Sequence, residues 1–183
     1  MKKLLLVTAV AIFGAVNLHA QDLQFGVKGG LNFANVMGDQ SENKDLVTAF
    51  NFGGMVEIPI SEKFSVQPEI MFSGNGFSIN EDVTALNYLD IPVMAKYYLT
   101  KGLSIEAGPQ IGFLLSAKTE DIDVKDSYNN VNFGLSTGVG YKLDNGINFG
   151  ARYNLGLSNI NDIDGSSIKN RLGALQLSVG YFF

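Results

Sequence analysis

From Val131 to Leu143, and again from Ile147 to Ser158, two sets of side chains alternate almost without error. One set reads Val131, Phe133, Leu135, Thr137, Val139, Tyr141 and Leu143, then Ile147, Phe149, Ala151, Tyr153, Leu155 and Leu157. The other reads Asn132, Gly134, Ser136, Gly138, Gly140 and Lys142, then Asn148, Gly150, Arg152, Asn154, Gly156 and Ser158. A period of two belongs to the β-strand, whose successive side chains point to opposite faces. Strands this long, with cations among the small residues of the face opposite the apolar one, predict a membrane barrel: apolar side chains towards lipid, polar ones inward.

The ends and the composition narrow the reading. Residues 1–20 are expected to be a cleaved signal peptide: Lys2 and Lys3 precede an apolar run from Leu4 to Val16, and Asn17-Leu18-His19-Ala20 supplies the cleavage segment. The apolar run is about 13 residues, short of the roughly 20 that a spanning helix needs. No Cys follows it, which excludes lipid attachment through a thioether. Residues 21–183 are expected to form one outer-membrane β-barrel domain. The chain has no Cys, and its only His, His19, lies in the expected signal. Disulfides, thiolate metal sites and Ser-His or Cys-His nucleophiles are thereby excluded from the mature domain. Loss of Lys2 and Lys3 takes the formal charge from −5 to −7, and without a basic stripe no nucleic-acid partner is expected.

The same alternation, followed along the chain, predicts eight strands: Leu23–Ala34, Phe50–Ile60, Phe64–Gly74, Asn87–Leu99, Leu103–Leu115, Asn130–Leu143, Ile147–Ser158 and Leu172–Phe183. Ser61-Glu62-Lys63, Thr100-Lys101-Gly102 and Asp144-Asn145-Gly146 read as tight hairpin turns. Asn35–Ala49, Asn75–Leu86, Ser116–Asn129 and Asn159–Arg171 read as four longer, acidic loops. An even number of strands, with short turns at one end and long loops at the other, predicts an all-β, eight-stranded, antiparallel up-and-down transmembrane barrel with a periplasmic turn end. A soluble lipocalin-like barrel is the rival, with its apolar face turned inward. The glycine-packed polar face and the aromatics towards strand ends favour the membrane form. The aromatics, Phe25, Phe50, Phe52, Phe72, Tyr97, Phe113, Tyr141, Phe149, Tyr181 and Phe183 among them, are expected to form two interfacial girdles.

Inward positions on this phase include Lys28, Glu57, Glu69, Asp90, Lys96, Glu106, Lys142 and Arg152, four acids and four bases. Eight strands enclose a space just wide enough for side chains to fill. Opposite charges in such a space are expected to form an ion-pair network that plugs the lumen, in preference to an ion path.

The segments Phe25–Phe33 (FGVKGGLNF), Ile91–Leu99 (IPVMAKYYL), Ala107–Phe113 (AGPQIGF) and Ala151–Leu157 (ARYNLGL) resemble the PorT-like outer-membrane β-barrel family of Bacteroidota. The resemblance runs over nearly all of residues 21–183 and implies an eight-stranded outer-membrane barrel. Some members are associated with protein secretion or surface assembly, a role that fold alone does not transfer. The last strand is similar to the insertion signal read by the barrel-assembly machinery, with Gln176, Tyr181 and Phe183 in place and Ser178 where Gly is usual.

Other motifs carry less. Asn161-Asp162-Ile163-Asp164-Gly165 fails the calcium-loop pattern, with Ile160 in the first ligand position and Arg171 in the bidentate one. Glu120, Asp121, Asp123 and Asp126 read as a solvated acidic loop. No cofactor, metal or enzymatic activity is expected. The expected partners are outer-membrane lipids and lipopolysaccharide, the barrel-assembly machinery during insertion, and envelope or surface proteins met through the loops. The alternative is a small transport element or an accessory component of a secretion system.

Overall fold

The computed structural model describes residues 23–38, 45–79, 82–120, 122–160 and 170–183, so the expected signal at 1–20 and the Asn161–Gly165 motif lie outside the described residues. The strands are β1 (Gln24–Gly38), β2 (Val47–Ser61), β3 (Phe64–Ile79), β4 (Asp82–Tyr98), β5 (Leu103–Thr119), β6 (Ile122–Asp123), β7 (Val131–Lys142), β8 (Ile147–Gly156) and β9 (Asn170–Phe182). All neighbours are antiparallel in the order β4-β3-β2-β1-β9-β8-β7-β5, and β4 pairs with β5 to close the wall. The result is a closed eight-stranded barrel, with the two-residue β6 riding on the end of β5. Closure leaves the wall without an edge, which is the condition for strands to cross lipid.

Side-chain direction follows the alternation. Phe25, Val27, Phe50, Phe52, Ile70, Phe133, Val139, Phe149 and Val179 are exposed on the outer surface. Aromatics gather near both ends of this apolar surface. Phe52 stacks on Phe72 at 5.2 Å towards the loop end, and Tyr181 meets Phe183 edge-on at 5.7 Å beside the turns. At the turn end Gly146 has φ +89°, a left-handed conformation that favours glycine and gives Asn145-Gly146 its tight reversal.

The strands differ from the expected ones at the loop end, where four of them run four or more residues further, β1 to Gly38, β3 to Ile79, β4 from Asp82 and β5 to Thr119, and β2 begins three residues earlier at Val47. The expected loop Asn75–Leu86 is therefore a hairpin, with Ile79 paired to Asp82. A strand of 17 residues, such as β5, tilted by about 40° rises roughly 43 Å, well beyond an apolar band of about 25 Å. The upper wall thus stands clear of the bilayer. Its interior is apolar: Val36, Phe77, Leu86, Tyr88, Leu114, Ala117, Ile160 and Leu172 form one buried cluster, with Val124 and Tyr128 packed against it. This is the core of a soluble barrel set on top of a membrane barrel.

One irregularity extends the apolar interior along β5. Asn87 pairs with Ser116 while Tyr88 pairs with Leu114, so Leu115 is an extra residue, a β-bulge, in β5. An unbroken alternation would carry Lys118 inward. The bulge turns Ala117 into the core and leaves Lys118 exposed.

Leu86 is fully buried in this cap. Leu86→Ala is expected to lower stability by about 2–5 kcal/mol, the usual range for a buried leucine that leaves a cavity. Urea unfolding of the protein in lipid vesicles measures this, and an unchanged midpoint would show that the cap is not packed.

Candidate functional site

The candidate site is the lumen. Its inward positions form successive storeys from the turn end to the loop end. The lowest storey is centred on Glu57. Its Oε2 accepts from Lys142 Nζ at 2.9 Å and lies 3.4 Å from Lys96 Nζ, and its Oε1 accepts from the Tyr98 hydroxyl. Lys142 also donates to Gln24 Oε1 at 2.9 Å and lies over the Phe182 ring, 4.7 Å from its centre.

The next storey is centred on Glu69. Arg152 grips it as a fork, Nη1 to Oε2 at 2.9 Å and Nη2 to Oε1 at 2.8 Å, and Nη2 reaches Glu106 Oε2 at 2.7 Å. Lys28 Nζ lies 2.7 Å from Glu69 Oε2. Gln67 joins the two storeys, accepting from Lys96 at 3.0 Å and donating to Glu69 Oε1 at 2.7 Å. Bidentate, charge-assisted contacts of this kind are the strong ones, and shared partners make them act as a unit.

Above these lies a neutral polar storey. Asn32 Oδ1 accepts from Asn51 at 2.8 Å and from Gln176 at 3.1 Å, and Asn32 Nδ2 donates to Ser73 Oγ at 2.9 Å. Ser136 donates to Gln110 Oε1 at 2.7 Å. The apolar cap closes the top. There, above the bilayer, burial pushes the Tyr128 phenol above its ordinary pKa as it packs against the cluster.

Glycines make room for the charges. A Cβ at Gly138 would meet the Ala151 carbonyl oxygen and come within 2.8 Å of Arg152 Cγ, and one at Gly140 would come within 2.8 Å of Glu106 Oε1. β7 thus carries no side chain where Arg152 and Glu106 need the space.

Of the eight charged residues read as luminal, the structure buries Lys28, Glu57, Glu69, Asp90, Lys96, Glu106 and Arg152, and leaves Lys142 partly exposed at the lower mouth. Seven join the ion-pair network. Asp90 does not: it sits in the neutral storey, and among the described residues no Lys or Arg nitrogen comes within ion-pairing distance. The reason is axial position, because β4 carries Asp90 several rungs above Lys96. Gln176 joins the lumen through Asn32, while Tyr181 and Phe183 lie on the outer face. Tyr98, Gln67, Gln24 and Asn32 were not singled out from the sequence. Tyr98, Gln67 and Asn32 share the alternation phase of Lys96, Glu69 and Lys28, and Gln24 lies in phase with Lys28 two positions beyond Gly26. In the acidic loop Asp123 Oδ1 accepts from the Lys125 backbone N–H at 2.9 Å, and among the described residues no group of three His, Cys, Asp or Glu comes together.

The sequence profile of the outer membrane protein β-barrel domain family matches residues 19–162. The chain belongs to this family. As an outer membrane β-barrel protein it is placed in the outer membrane, and its fold agrees with solved relatives of that class. Ail, the attachment invasion locus protein of Yersinia pestis, aligns at 14% identity and TM-score 0.54 over 87% of this chain and 98% of its own. Ail in complex with the heparin analogue sucrose octasulfate aligns at 12% identity and TM-score 0.54, over 88% of this chain and 99% of its own. Neisserial surface protein A aligns at 16% identity and TM-score 0.57 over 87% and 97%. At these identities the likeness shows the shared barrel fold. Among curated proteins no sequence matches the chain.

Arg152→Met would leave Glu106 without its Arg152 partner and Glu69 with Lys28 as its one cation beside the Gln67 amide. Breaking a buried network from one side is expected to destabilise this barrel by about 3–5 kcal/mol. Urea midpoints in vesicles, compared with the isosteric pair Glu69→Gln and Arg152→Met together, check the value, the double variant losing less than the sum of the two single changes.

Proposed function

We propose that this barrel is a closed, non-enzymatic anchor that presents its loop end to other molecules at the cell surface. The observation that carries the reading is the filled lumen. Cavities of about 480 and 510 Å³ open at the turn end, but within the lumen the voids shrink to about 10 Å³ each. Interlocked ion pairs fill the lower lumen, the neutral polar storey lies above them and the apolar cluster closes the top, so a hydrated solute meets three successive barriers. What remains available for recognition is the raised rim, whose described residues include 45–46, 122–130 and 157–160, together with the paired strand ends at Ile79 and Asp82. The rim carries exposed Leu46, Ile79, Val83 and Ile122, side chains that suit contact with a partner surface. That one solved relative is titled an attachment invasion locus protein, and was solved with a heparin analogue, is in keeping with a surface-contact role.

The PorT-like resemblance supports a narrower form of the same proposal, in which the partner belongs to a secretion or surface-assembly system. In either form the outward aromatics meet lipid and lipopolysaccharide, and the final strand bearing Gln176, Tyr181 and Phe183 is read by the barrel-assembly machinery.

Purified protein in planar lipid bilayers is expected to show no reproducible conductance steps. Discrete, reproducible steps would favour the transport reading. Cross-linking in native outer membranes is expected to recover a specific envelope partner that is lost when residues 39–44 and 161–169 are replaced by short linkers in a barrel that still folds. Recovery that is indifferent to the loops would overturn the proposal.

A further inference from the structure

Among the described residues Asp90 is the one luminal carboxylate outside the ion-pair network, and its surroundings are those of a ligand chamber. The side chain is buried, 7% exposed, on β4 between the charged storeys and the apolar cap. Gly112 faces it across the β4–β5 pair, and a Cβ there would collide with Asp90 Oδ1, so the carboxylate occupies space that the glycine vacates. The Ser73 hydroxyl, which accepts from Asn32 Nδ2 and is thereby turned to donate, hydrogen-bonds to it. A carboxylate has about four lone-pair sites, and one hydroxyl does not fill them.

The same chamber holds further unused oxygen. Asn132 Oδ1 and the Tyr88 hydroxyl are both buried and without a hydrogen-bond partner, and both side chains line the void beside Asp90. Asn132 and Tyr88 are 7% and 1% exposed. The void offers about 10 Å³ to the centre of a water-sized sphere. That is roughly the room one water or one bare sodium ion takes. The chamber therefore has one uncompensated negative charge, two buried oxygens without a hydrogen-bond partner, and room for a single small occupant. A lone carboxylate charge in such a setting is costly unless a cation or a proton neutralises it. One carboxylate with neutral oxygens suits a hard cation of single charge. The absence of a second acid in the chamber disfavours calcium or magnesium, which draw on several carboxylates or retain their waters.

We propose that this chamber holds a monovalent cation of sodium's size between the Asp90 carboxylate, Asn132 Oδ1 and the Tyr88 hydroxyl. The ion completes the neutral storey: it supplies the positive partner that the strand register denies Asp90, and it ties β4 to β7 beneath the cap. The site lies below the apolar cluster, so the ion exchanges when the cap loosens and is held when the cap is packed. This inference rests on the lumen alone and stands whether or not the loops bind a partner.

The test uses the full barrel folded in detergent micelles, with sodium itself as the probe. The sodium-23 resonance is expected to broaden saturably on addition of protein, and the urea midpoint is expected to rise in sodium chloride relative to choline chloride at equal ionic strength. Asp90→Asn should remove both effects while keeping the heat-dependent shift in electrophoretic mobility that marks a folded barrel. Asn132→Val, which keeps the acid, should weaken sodium broadening without abolishing it. Equal sodium line widths for the wild type and Asp90→Asn would overturn the proposal. So would an infrared carboxylic-acid band that is assigned to Asp90 by its loss in Asp90→Asn and is unchanged by sodium, since it would show a proton in the cation's place.

Discussion

A lipid-crossing barrel of eight strands has almost no interior to spare, and every polar group within it must find its partner there. The bilayer supplies no water to the wall, and the lumen is only as wide as the side chains that fill it. The fork between Arg152 and Glu69 is where this constraint is met most fully. It spans the barrel from β8 to β3, it is shared with Lys28 and Glu106, and through Gln67 it is coupled to the Glu57 storey. Gly138 on β7 leaves room for the Arg152 side chain. At the height of the ion pairs the outer face is apolar and the charges point inward.

Polarity changes along the barrel axis as well as across its wall. From the turn end upward, the interior passes from ion pairs to amides and hydroxyls, and then to an apolar cluster. Each storey has a physical partner outside: the charged and neutral storeys lie behind the apolar, lipid-facing wall, and the apolar cap lies where the wall rises out of it. The cap also gives the rim its shape, since strands with a packed interior continue pairing where an empty barrel would fray into loops.

Much of this was legible in the sequence, because period-two alternation reports directly on which face a side chain takes. β7 and β8 were readable almost residue by residue, since their inward face is small and their outward face large. The eight luminal charges followed from the same phase. The upper halves of β3, β4 and β5 were not legible, for two reasons. Gly74-Asn75-Gly76 has the composition of a turn, yet Gly76 lies in β3 because a Cβ there would strike the Thr84 carbonyl oxygen on β4. The bulge at Leu115 then shifts the phase of β5, so inward Ala117 and outward Lys118 break the pattern that had served below. Isolation of Asp90 was hidden for a related reason: alternation gives the face of a residue, whereas its height depends on strand stagger, which is a property of the closed sheet.

The central claim is that one wall has a lipid face, a filled inner face and an upper rim beyond the membrane. The chain has no Trp, so a single tryptophan can be placed at will. Fluorescence quenching by brominated lipid should be strong for Val139→Trp and Leu177→Trp, on the outer face at mid-height, and weak for Ser136→Trp, which points inward, and for Ile122→Trp, on the rim. Equal quenching at Leu177 and Ile122, or stronger quenching at Ser136 than at Val139, would contradict the account.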